Sequence, residues 1–308
     1  MSDELSSGAL RARLIAQTEH ALGCGALQPI STEFEFVEQG GIRFLVRVVS
    51  NLARKQRAKR QQAKKTTVSG KAFNPFLPYE QDLFVSDLSA THLCLLNKFN
   101  VMAHHLLIIT RAFELQESEL TAADFEAMWA CLLEIEGLAF YNAGKVAGAS
   151  QRHKHLQLVP LPLVPEGSGL PIEAAIAAAE FQGLLGTLPA FPFEHAIVKL
   201  NPAWAEQSCA TAAQKTLERY HRMLRATGLS CSGAANGTRK LGTYNLLATK
   251  EWMLLVPRSQ ECSKSISVNA LGFAGALLVR DQSQLQLLKD LGPMTLLQQV
   301  ACPSKPNT

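Results

Sequence analysis

The sequence lacks the cysteine spacings that are typical of disulfide-rich proteins and of structural zinc sites. It has seven cysteines in 308 residues, an odd number, and no two of them stand in a CxxC spacing. This usage argues against a disulfide scaffold and against a structural zinc site. No apolar run is long enough to cross a membrane, and no apolar signal stretch follows Asp3 and Glu4. We therefore expect a soluble protein of the cytoplasm, a reducing compartment, with no membrane partner.

Basic and acidic residues nearly balance. The formal net charge is only +4, and a protein dedicated to duplex nucleic acid usually carries a larger or more clustered basic excess. We expect no nucleic-acid partner, whereas a mildly basic protein suits a small anionic ligand. Hydrophobic residues make up 47% of the chain, which is enough to build the core of one large domain or two closely associated ones.

Hydrophobic periodicity predicts helices and strands that do not alternate as βαβ units. Helical spacing is predicted over 3–24, 121–144, 172–185, 210–227 and 281–291. Strands are predicted over 33–50 with a hairpin at Gly40 and Gly41, over 93–110 and 153–159, and as a pair in 243–259. Thr121 is the expected N-cap of its helix, with Asp124 as the capping-box partner. An α+β fold with a mostly antiparallel sheet follows.

The strongest chemical signal is the segment from Gly144 to Pro160, GKVAGASQRHKHLQLVP. If 153–159 form a strand, His153, His155 and Gln157 lie on one face, because alternate strand residues do so. The small residues at 148–151 can bring backbone N–H groups close to phosphate oxygens. A neutral imidazole whose other ring nitrogen is held by a partner is a nucleophile toward phosphorus. The spacing alone leaves a metal-binding pair and two structural core histidines open, although a single strand supplies at most two metal ligands.

Several longer strings surround this motif: NKFNV, HHLLIITRAFE, DFEAMWACL, GLAFYNAGKVAGASQRHKHLQLVPLP, YNLLATKEWMLLVPRS and ISVNALGFAGALLV. In that order they resemble the diadenosine tetraphosphate phosphorylases, or ATP adenylyltransferases, the transferase branch of the histidine-triad superfamily. The resemblance covers 51–293 and implies a histidine-triad-like α+β fold, with its antiparallel sheet flanked by helices and with N- and C-terminal elaborations. It also implies that region 1–190 holds the core with the His-x-His-x-Gln motif, and that region 191–308 completes the substrate cleft.

The resemblance further implies reversible, phosphorolytic cleavage of diadenosine tetraphosphate and related dinucleoside polyphosphates to ATP and ADP. His155 would be the nucleophile that forms an adenylyl-histidine, Gln157 would contact the transferred phosphate, and His153 would orient the site. The residues that match substrate-binding positions are Lys55, Asn97, Lys98, Asn142, Gly148, Ala149, Ser150, Gln151, Asn245, Thr249 and Arg258. The implied partners are the dinucleotide, ATP, ADP and phosphate. We expect a divalent cation such as Mg²⁺ to bind with the polyphosphate and to take few protein ligands. No residue is assigned as a metal ligand, and no organic cofactor is expected. The oligomeric state stays open.

Two other functions compete with this one. Hexose-1-phosphate uridylyltransferases share the motif but usually place proline between the histidines, where this chain has Lys154. A non-catalytic dinucleotide sensor would not need a nucleophile. The basic run at 54–65, which has no acidic residue, is either a loop that polyphosphate orders or a solvated loop without a specific role.

Overall fold

The computed structural model describes residues 8–49, 74–164, 169–229 and 242–304. Within these ranges the helices are α1 (Ala9–Gly23), α2 (Ala122–Glu134), α3 (Glu173–Ala177), α4 (Ala203–Gln207), α5 (Cys209–Ala226), α6 (Ala270–Phe273), α7 (Gln282–Leu291) and α8 (Pro293–Val300). The strands are β1 (Thr32–Gln39), β2 (Ile42–Val49), β3 (Phe84–Asp87), β4 (His92–Leu96), β5 (Leu106–Thr110), β6 (Gly137–Asn142), β7 (His155–Pro160), β8 (Glu180–Gln182), β9 (Leu185–Thr187), β10 (Ala196–Lys199), β11 (Tyr244–Ala248), β12 (Trp252–Pro257), β13 (Cys262–Ser263), β14 (Ile266–Ser267) and β15 (Ala276–Val279).

A ten-stranded sheet forms the centre of the molecule, in the order β3-β4-β5-β7-β6-β11-β12-β10-β9-β8. All its neighbouring strands pair antiparallel. A second, three-stranded sheet has the order β1-β2-β15, and there β15 runs parallel to β2. These pairings confirm the predicted α+β class with a mostly antiparallel sheet.

The two faces of the large sheet are covered differently. Helices α1, α2 and α5 pack on one face, where Leu14, Trp129 and Tyr220 join the largest core cluster. On the other face, the small sheet and the C-terminal helices contribute Phe44 and Phe273 to a second core. A smaller apolar cluster lies at the β4–β5 end of the sheet. The His155 side of β7 lies beside this third cluster.

Helix α2 shows where local signals were sufficient and where they were not. Its N-cap is Thr121, and the capping box with Asp124 is present as predicted. The predicted continuation to Gly144 is wrong, because the helix ends at Glu134 and Gly137–Asn142 form β6. Every residue of β6 is buried. A strand buried on both faces reads as a continuous apolar run, which periodicity cannot separate from a buried helix.

The other element predictions had mixed outcomes. The hairpin at Gly40 and Gly41 is confirmed, with both glycines at positive φ (61° and 75°), as a two-residue type I′ turn requires. The helix predicted over 172–185 is wrong beyond α3, since β8 and β9 form a hairpin there. Helices α5 and α7 match their predictions, whereas α8, which begins at Pro293, was not predicted. No helix among the described residues is long and apolar enough to span a membrane.

Candidate active site

The motif strand β7 lies between β5 and β6 near the middle of the large sheet. His155 pairs with Ile109 and Gln157 with Leu107, so these two motif side chains share a face. The intervening Leu156 belongs to the core on the helical face. The predicted alternation is therefore confirmed for His155 and Gln157. His153 precedes the strand proper.

His155 is held as a neutral imidazole with one nitrogen free of protein partners. Its Nδ1–H donates to the carbonyl oxygen of His153 at 2.8 Å. Burial lowers its pKa to about 4, although that hydrogen bond acts in the opposite direction. Within the described chain no group hydrogen-bonds to Nε2, which carries the lone pair in this tautomer. This is the arrangement that imidazole needs to attack phosphorus.

The main chain of His155 is clamped by Gln116, a residue that the sequence did not single out. Gln116 Oε1 accepts the backbone N–H of His155 at 2.8 Å, and its Nε2 donates to the His155 carbonyl at 3.1 Å. The same amide nitrogen donates to the carbonyl of Asn142 at 2.9 Å. One buried amide thus links the main chain of His155 to the end of β6. In the sequence, Gln116 is marked only as a polar residue that follows β5, which does not indicate its role.

His153 has both ring nitrogens occupied by protein. Asn74 Nδ2 donates to its Nδ1 at 2.8 Å, and its Nε2–H donates to the Thr110 carbonyl at 2.8 Å. Burial lowers the pKa of His153, so this ring is also neutral. With no free lone pair, His153 cannot be the nucleophile in this arrangement. Its carbonyl accepts the Nδ1–H of His155, and its orienting role stays a prediction.

Gln157 receives a hydrogen bond from a second residue that the sequence analysis did not single out. His105 Nε2 lies 3.0 Å from Gln157 Oε1, and His105 Nδ1 lies 3.2 Å from Asn97 Nδ2. Asn97, a predicted substrate contact, therefore reaches Gln157 through His105. Its neighbour Lys98 forms an ion pair with Glu80 at 2.5 Å, and the Lys98 side chain is one-third exposed.

The loop between β6 and β7 has the features of a phosphate cradle. Gly148 has φ of +90°, and a Cβ there would lie 2.9 Å from the Val268 carbonyl oxygen, so only glycine fits. The Ala149 N–H is used inside the loop, by the Gly144 carbonyl. The backbone N–H groups of Ser150 and Gln151 donate to no protein group among the described residues. Two neighbouring free amides of this kind can bind an anion.

Arg258, predicted to touch substrate, is instead buried beneath this loop. It is 3% exposed. Its guanidinium donates to Asn245 Oδ1 at 2.5 Å and to the Val268 carbonyl at 2.9 Å. Its other nitrogens donate to the carbonyls of Gln260, Glu261 and Val300. Because its donors are directed at protein oxygens, Arg258 supports the loop, and its substrate contact stays a prediction.

Asn142 and Asn245 belong to the same buried network. Asn245 Nδ2 donates to Asn142 Oδ1 and to the Ala147 carbonyl, both at 2.8 Å. Asn245 is fully buried, and its substrate contact stays a prediction. Asn142 Oδ1 is occupied by Asn245 and by the backbone N–H of Ala270. No described protein group accepts a hydrogen bond from Asn142 Nδ2, which leaves that donor for a ligand.

Two other predicted contacts are not brought to the site. Thr249 forms the turn between β11 and β12, where its Oγ1 accepts the N–H of Glu251. It lies four residues beyond Asn245, or roughly 13 Å along an extended strand, and the β11 register carries it toward the start of β6. The substrate contact of Thr249 stays a prediction. Lys55, together with the basic run at 54–65, lies outside the described residues.

A cavity of about 310 Å³ lies beside the loop and contains two cations that the sequence analysis passed over. Lys145 and Arg152 line it together with Gln116, Ser150 and Gln151. Neither cation forms an ion pair within the described chain. Gln116, which lines this cavity, also holds the main chain of His155. Glu117 and Glu261 line the same cavity, so its lining holds two basic and two acidic residues.

An apolar surface adjoins the histidines on the other side. Leu93, Leu95, Leu107 and Ile109 form it, and Phe76 packs over it. The Phe76 ring centroid lies 5.4 Å from that of His155, in an edge-on contact. The site thus combines a buried apolar cluster, a neutral imidazole and a loop with two free amides.

Comparison with known families agrees with this combination. Residues 1–178 match the Ap4A phosphorylase N-terminal domain, and residues 189–303 match the ATP adenylyltransferase C-terminal domain. The chain belongs to the Ap4A phosphorylase family. Members are nucleotidyltransferases, and this assignment confirms the resemblance seen in the sequence. The proposed boundary near residue 190 stays a prediction, although β10–β12 share one sheet with β3–β7.

Individual relatives extend the comparison. The chain is 29% identical over 245 residues to diadenosine 5',5'''-P1,P4-tetraphosphate phosphorylase 2 of Saccharomyces cerevisiae, which covers 71% of this chain and 73% of the relative. The crystal structure of yeast Ap4A phosphorylase Apa2 superposes with a TM-score of 0.78 at 23% identity, over 99% of this chain and 97% of that one. The same yeast enzyme in complex with Ap4A gives a TM-score of 0.75 at 22% identity, over 98% and 99% of the two chains. These structures confirm the fold.

Proposed function

We propose that this protein cleaves Ap4A with phosphate, by way of an adenylyl group on His155, and releases ATP and ADP. The observation that carries the proposal is the tautomer of His155. Its Nδ1–H is engaged by the His153 carbonyl, and Nε2 has no partner in the described chain. A relative from Saccharomyces cerevisiae carries the name of this activity, and a structure of yeast Ap4A phosphorylase Apa2 holds Ap4A; both support the choice of substrate.

In the first step His155 Nε2 attacks the α-phosphorus of one adenylyl half. The bond between that phosphorus and its bridging oxygen breaks, and the electron pair leaves with ATP. As the N–P bond forms, the imidazole becomes positively charged, and the His153 carbonyl stabilises this charge through Nδ1–H. The backbone amides of Ser150 and Gln151 are available to hold the phosphate oxygens.

In the second step an oxygen of inorganic phosphate attacks the same phosphorus. The P–N bond breaks, His155 returns to its neutral form, and the new P–O bond completes ADP. The N–P bond conserves much of the transfer potential of the anhydride, so the reverse direction should make Ap4A from ATP and ADP. Lys145 and Arg152, in the cavity beside the loop, are suitable cations for the incoming phosphate.

The remaining contacts complete the binding of the dinucleotide. Asn142 Nδ2 and Lys55 remain proposed contacts to the nucleotide. A divalent cation would be bound mainly by polyphosphate oxygens, since Mg²⁺ in phosphate sites takes few protein ligands. The described His/Cys/Asp/Glu group with metal-binding spacing, His20, Cys24 and Asp82, is exposed and involves α1, on the opposite face of the sheet.

The uridylyltransferase alternative fits the site less well. In those enzymes proline usually stands between the motif histidines, whereas Lys154 here is buried and forms an ion pair with Asp124 at 2.7 Å. A proline at that position could supply neither the ammonium group nor the backbone N–H that donates to the Glu114 carbonyl at 2.9 Å. A sensor without catalysis would not require the held tautomer of His155.

The test is product analysis with Ap4A, with and without phosphate. We expect ATP plus ADP in its presence and very slow release of AMP in its absence. If AMP and ATP form at the same rate in both conditions, the protein is a hydrolase and the proposal is wrong. UDP-hexose, tested in parallel, should give no turnover.

The covalent step has its own test. Brief incubation with Ap4A labelled in the adenylyl group should leave acid-labile, base-stable label on His155. His155→Ala should abolish the label and the turnover while the protein stays folded. Label that survives in His155→Ala, or that maps to His153, would refute the assignment.

A further inference from the structure

We propose that His105 is a positioning residue that turns the Gln157 amide so that it presents N–H donors, and no acceptor, to the transferred phosphate. The consequence is a choice of acceptor: phosphate is favoured over water. The inference rests on the proposed function, because it concerns the fate of the adenylyl group on His155. It also adds a residue that is neither in the His-x-His-x-Gln motif nor among the predicted contacts.

The orientation follows from the two hydrogen bonds of the His105 ring. Asn97 Nδ2 lies 3.2 Å from His105 Nδ1 and can only donate, so Nδ1 is the acceptor. A neutral imidazole with an accepting Nδ1 carries its proton on Nε2. That Nε2–H points to an oxygen of Gln157 at 3.0 Å, which makes this atom Oε1. The direction of donation thus passes from Asn97 through His105 to Gln157.

With Oε1 engaged by His105, the other end of the Gln157 amide is fixed. Its Nε2 carries two hydrogens and donates to no protein group among the described residues. Gln157 lies on the same face of β7 as His155, two residues along the strand. The two N–H groups therefore face the position where the phosphate oxygens lie after His155 attacks.

A donor-only amide discriminates between the two possible acceptors. A water molecule attacking phosphorus must lose a proton and benefits from a nearby hydrogen-bond acceptor that orients it. Phosphate already carries negative charge and needs donors around it, and it needs no base. If the amide were reversed, Oε1 would face the site and Nε2–H would face His105 Nε2–H, which leaves two donors opposed. His105 therefore makes the reversed orientation unfavourable.

The position of His105 is itself well defined. Its carbonyl accepts the backbone N–H of Asn97 at 2.8 Å, and its ring centroid lies 5.8 Å from that of Phe140. The neighbouring His104 provides a natural control, because its Nδ1 instead lies 3.0 Å from Thr18 Oγ1 on α1. His104 has a left-handed backbone, with φ of 57°. Asparagine tolerates this conformation better than most residues, so His104→Asn preserves the loop.

The test measures the ratio of AMP to ADP formed from Ap4A at a fixed phosphate concentration. His105→Phe retains an aromatic ring against Phe140 but cannot donate, and it should raise this ratio by about tenfold, the value of one hydrogen bond. His105→Gln restores a donor of similar reach and should return the ratio toward that of wild type. His104→Asn should leave the ratio unchanged. A purely structural effect would lower both products together and leave the ratio unaltered.

Unfolding curves of each variant show whether it is folded. If His105→Phe does not fold, Asn97→Ala replaces it, since loss of the donor to Nδ1 releases the His105 tautomer and should shift the ratio in the same direction. An unchanged ratio in a folded His105→Phe or Asn97→Ala variant overturns the inference, as does a His105→Gln variant that behaves like His105→Phe. Wild-type protein that forms no ATP and ADP overturns the proposed function instead, so the two failures are distinguishable.

Discussion

Replacement of Lys154 by methionine tests how the motif strand is anchored on the helical face. Lys154 stands between the two motif histidines, and its side chain is 1% exposed. Its ammonium group lies 2.7 Å from Asp124 Oδ2 and donates to the Glu119 carbonyl at 3.0 Å. Methionine keeps most of the volume of the side chain and removes the charge.

The expected cost follows from the burial of both partners. Asp124 is also 1% exposed, and removal of one partner of a buried ion pair costs roughly 3–5 kcal/mol. Burial acts to raise the pKa of Asp124, but the hydrogen bond with His92 and the charge of Lys154 lower it to about 2. Because His92 and Thr121 still contact this carboxylate in the variant, we expect about 3 kcal/mol, the lower end of the range.

Urea unfolding of wild type and Lys154→Met gives the free-energy difference. The matched control is Lys250→Met, because Lys250 pairs with Glu136 on the surface, with side chains 30% and 69% exposed, and such pairs contribute roughly 0–1 kcal/mol. The double variant Lys154→Met with Asp124→Asn should be less destabilised than the sum of the single changes. A loss in Lys154→Met no larger than in Lys250→Met would refute the reasoning.

Three other outcomes are expected. Because burial lowers the pKa of His155 to about 4, kcat/KM should fall on the acid side only near pH 4, and a fall near pH 6.5 would contradict this. The free energy of unfolding should decrease as the pH falls from about 6.5 to about 4, because the imidazole of the unfolded chain takes up a proton in that range while the folded one stays neutral. Arg258→Met leaves several buried carbonyls without donors, so calorimetry should show a loss of roughly 3 kcal/mol or more, together with a raised KM for Ap4A; unchanged stability would refute the supporting role. Arg152→Ala should raise the KM for phosphate by about tenfold, while Lys289→Ala, whose side chain pairs with Glu35 elsewhere, should not; equal effects would indicate a diffuse field and no specific contact.

Much of the local structure could be read from the sequence because its causes are local. The capping box of Thr121 and Asp124 spans three residues, and the glycines of the first hairpin stand at the turn that needs their positive φ. The alternation of β7 places His155 and Gln157 on one face whatever lies on either side of the strand. The loop of small residues and the motif strings are also contiguous in the sequence, so the family could be recognised from them without the tertiary structure.

The role of each polar side chain was decided by partners distant in the chain. Arg258 contacts Ala147, which is 111 positions away, and Asn245 contacts Asn142 across 103 positions. Sequence shows that these residues are present in the family's order, but it does not show whether a donor faces ligand or protein. Only the tertiary structure shows that the Arg258 and Asn245 side chains hydrogen-bond to groups of the loop and its neighbours.

The same reason explains the residues that sequence reasoning missed. His105 and Gln116 lie in stretches without a recognisable motif, and their importance comes from contacts with Gln157 and His155 across neighbouring strands. The sequence predicted helix for β6 because both faces of this strand are buried, and its apolar run therefore does not alternate with polar residues. Local pattern in the sequence was enough to predict the motif strand, the shared face of His155 and Gln157, and the loop of small residues beside it. Which polar groups are left without a protein partner, and are therefore available to a ligand, depends on the tertiary structure, because hydrogen bonds form between groups that are close in space and can be distant in the chain.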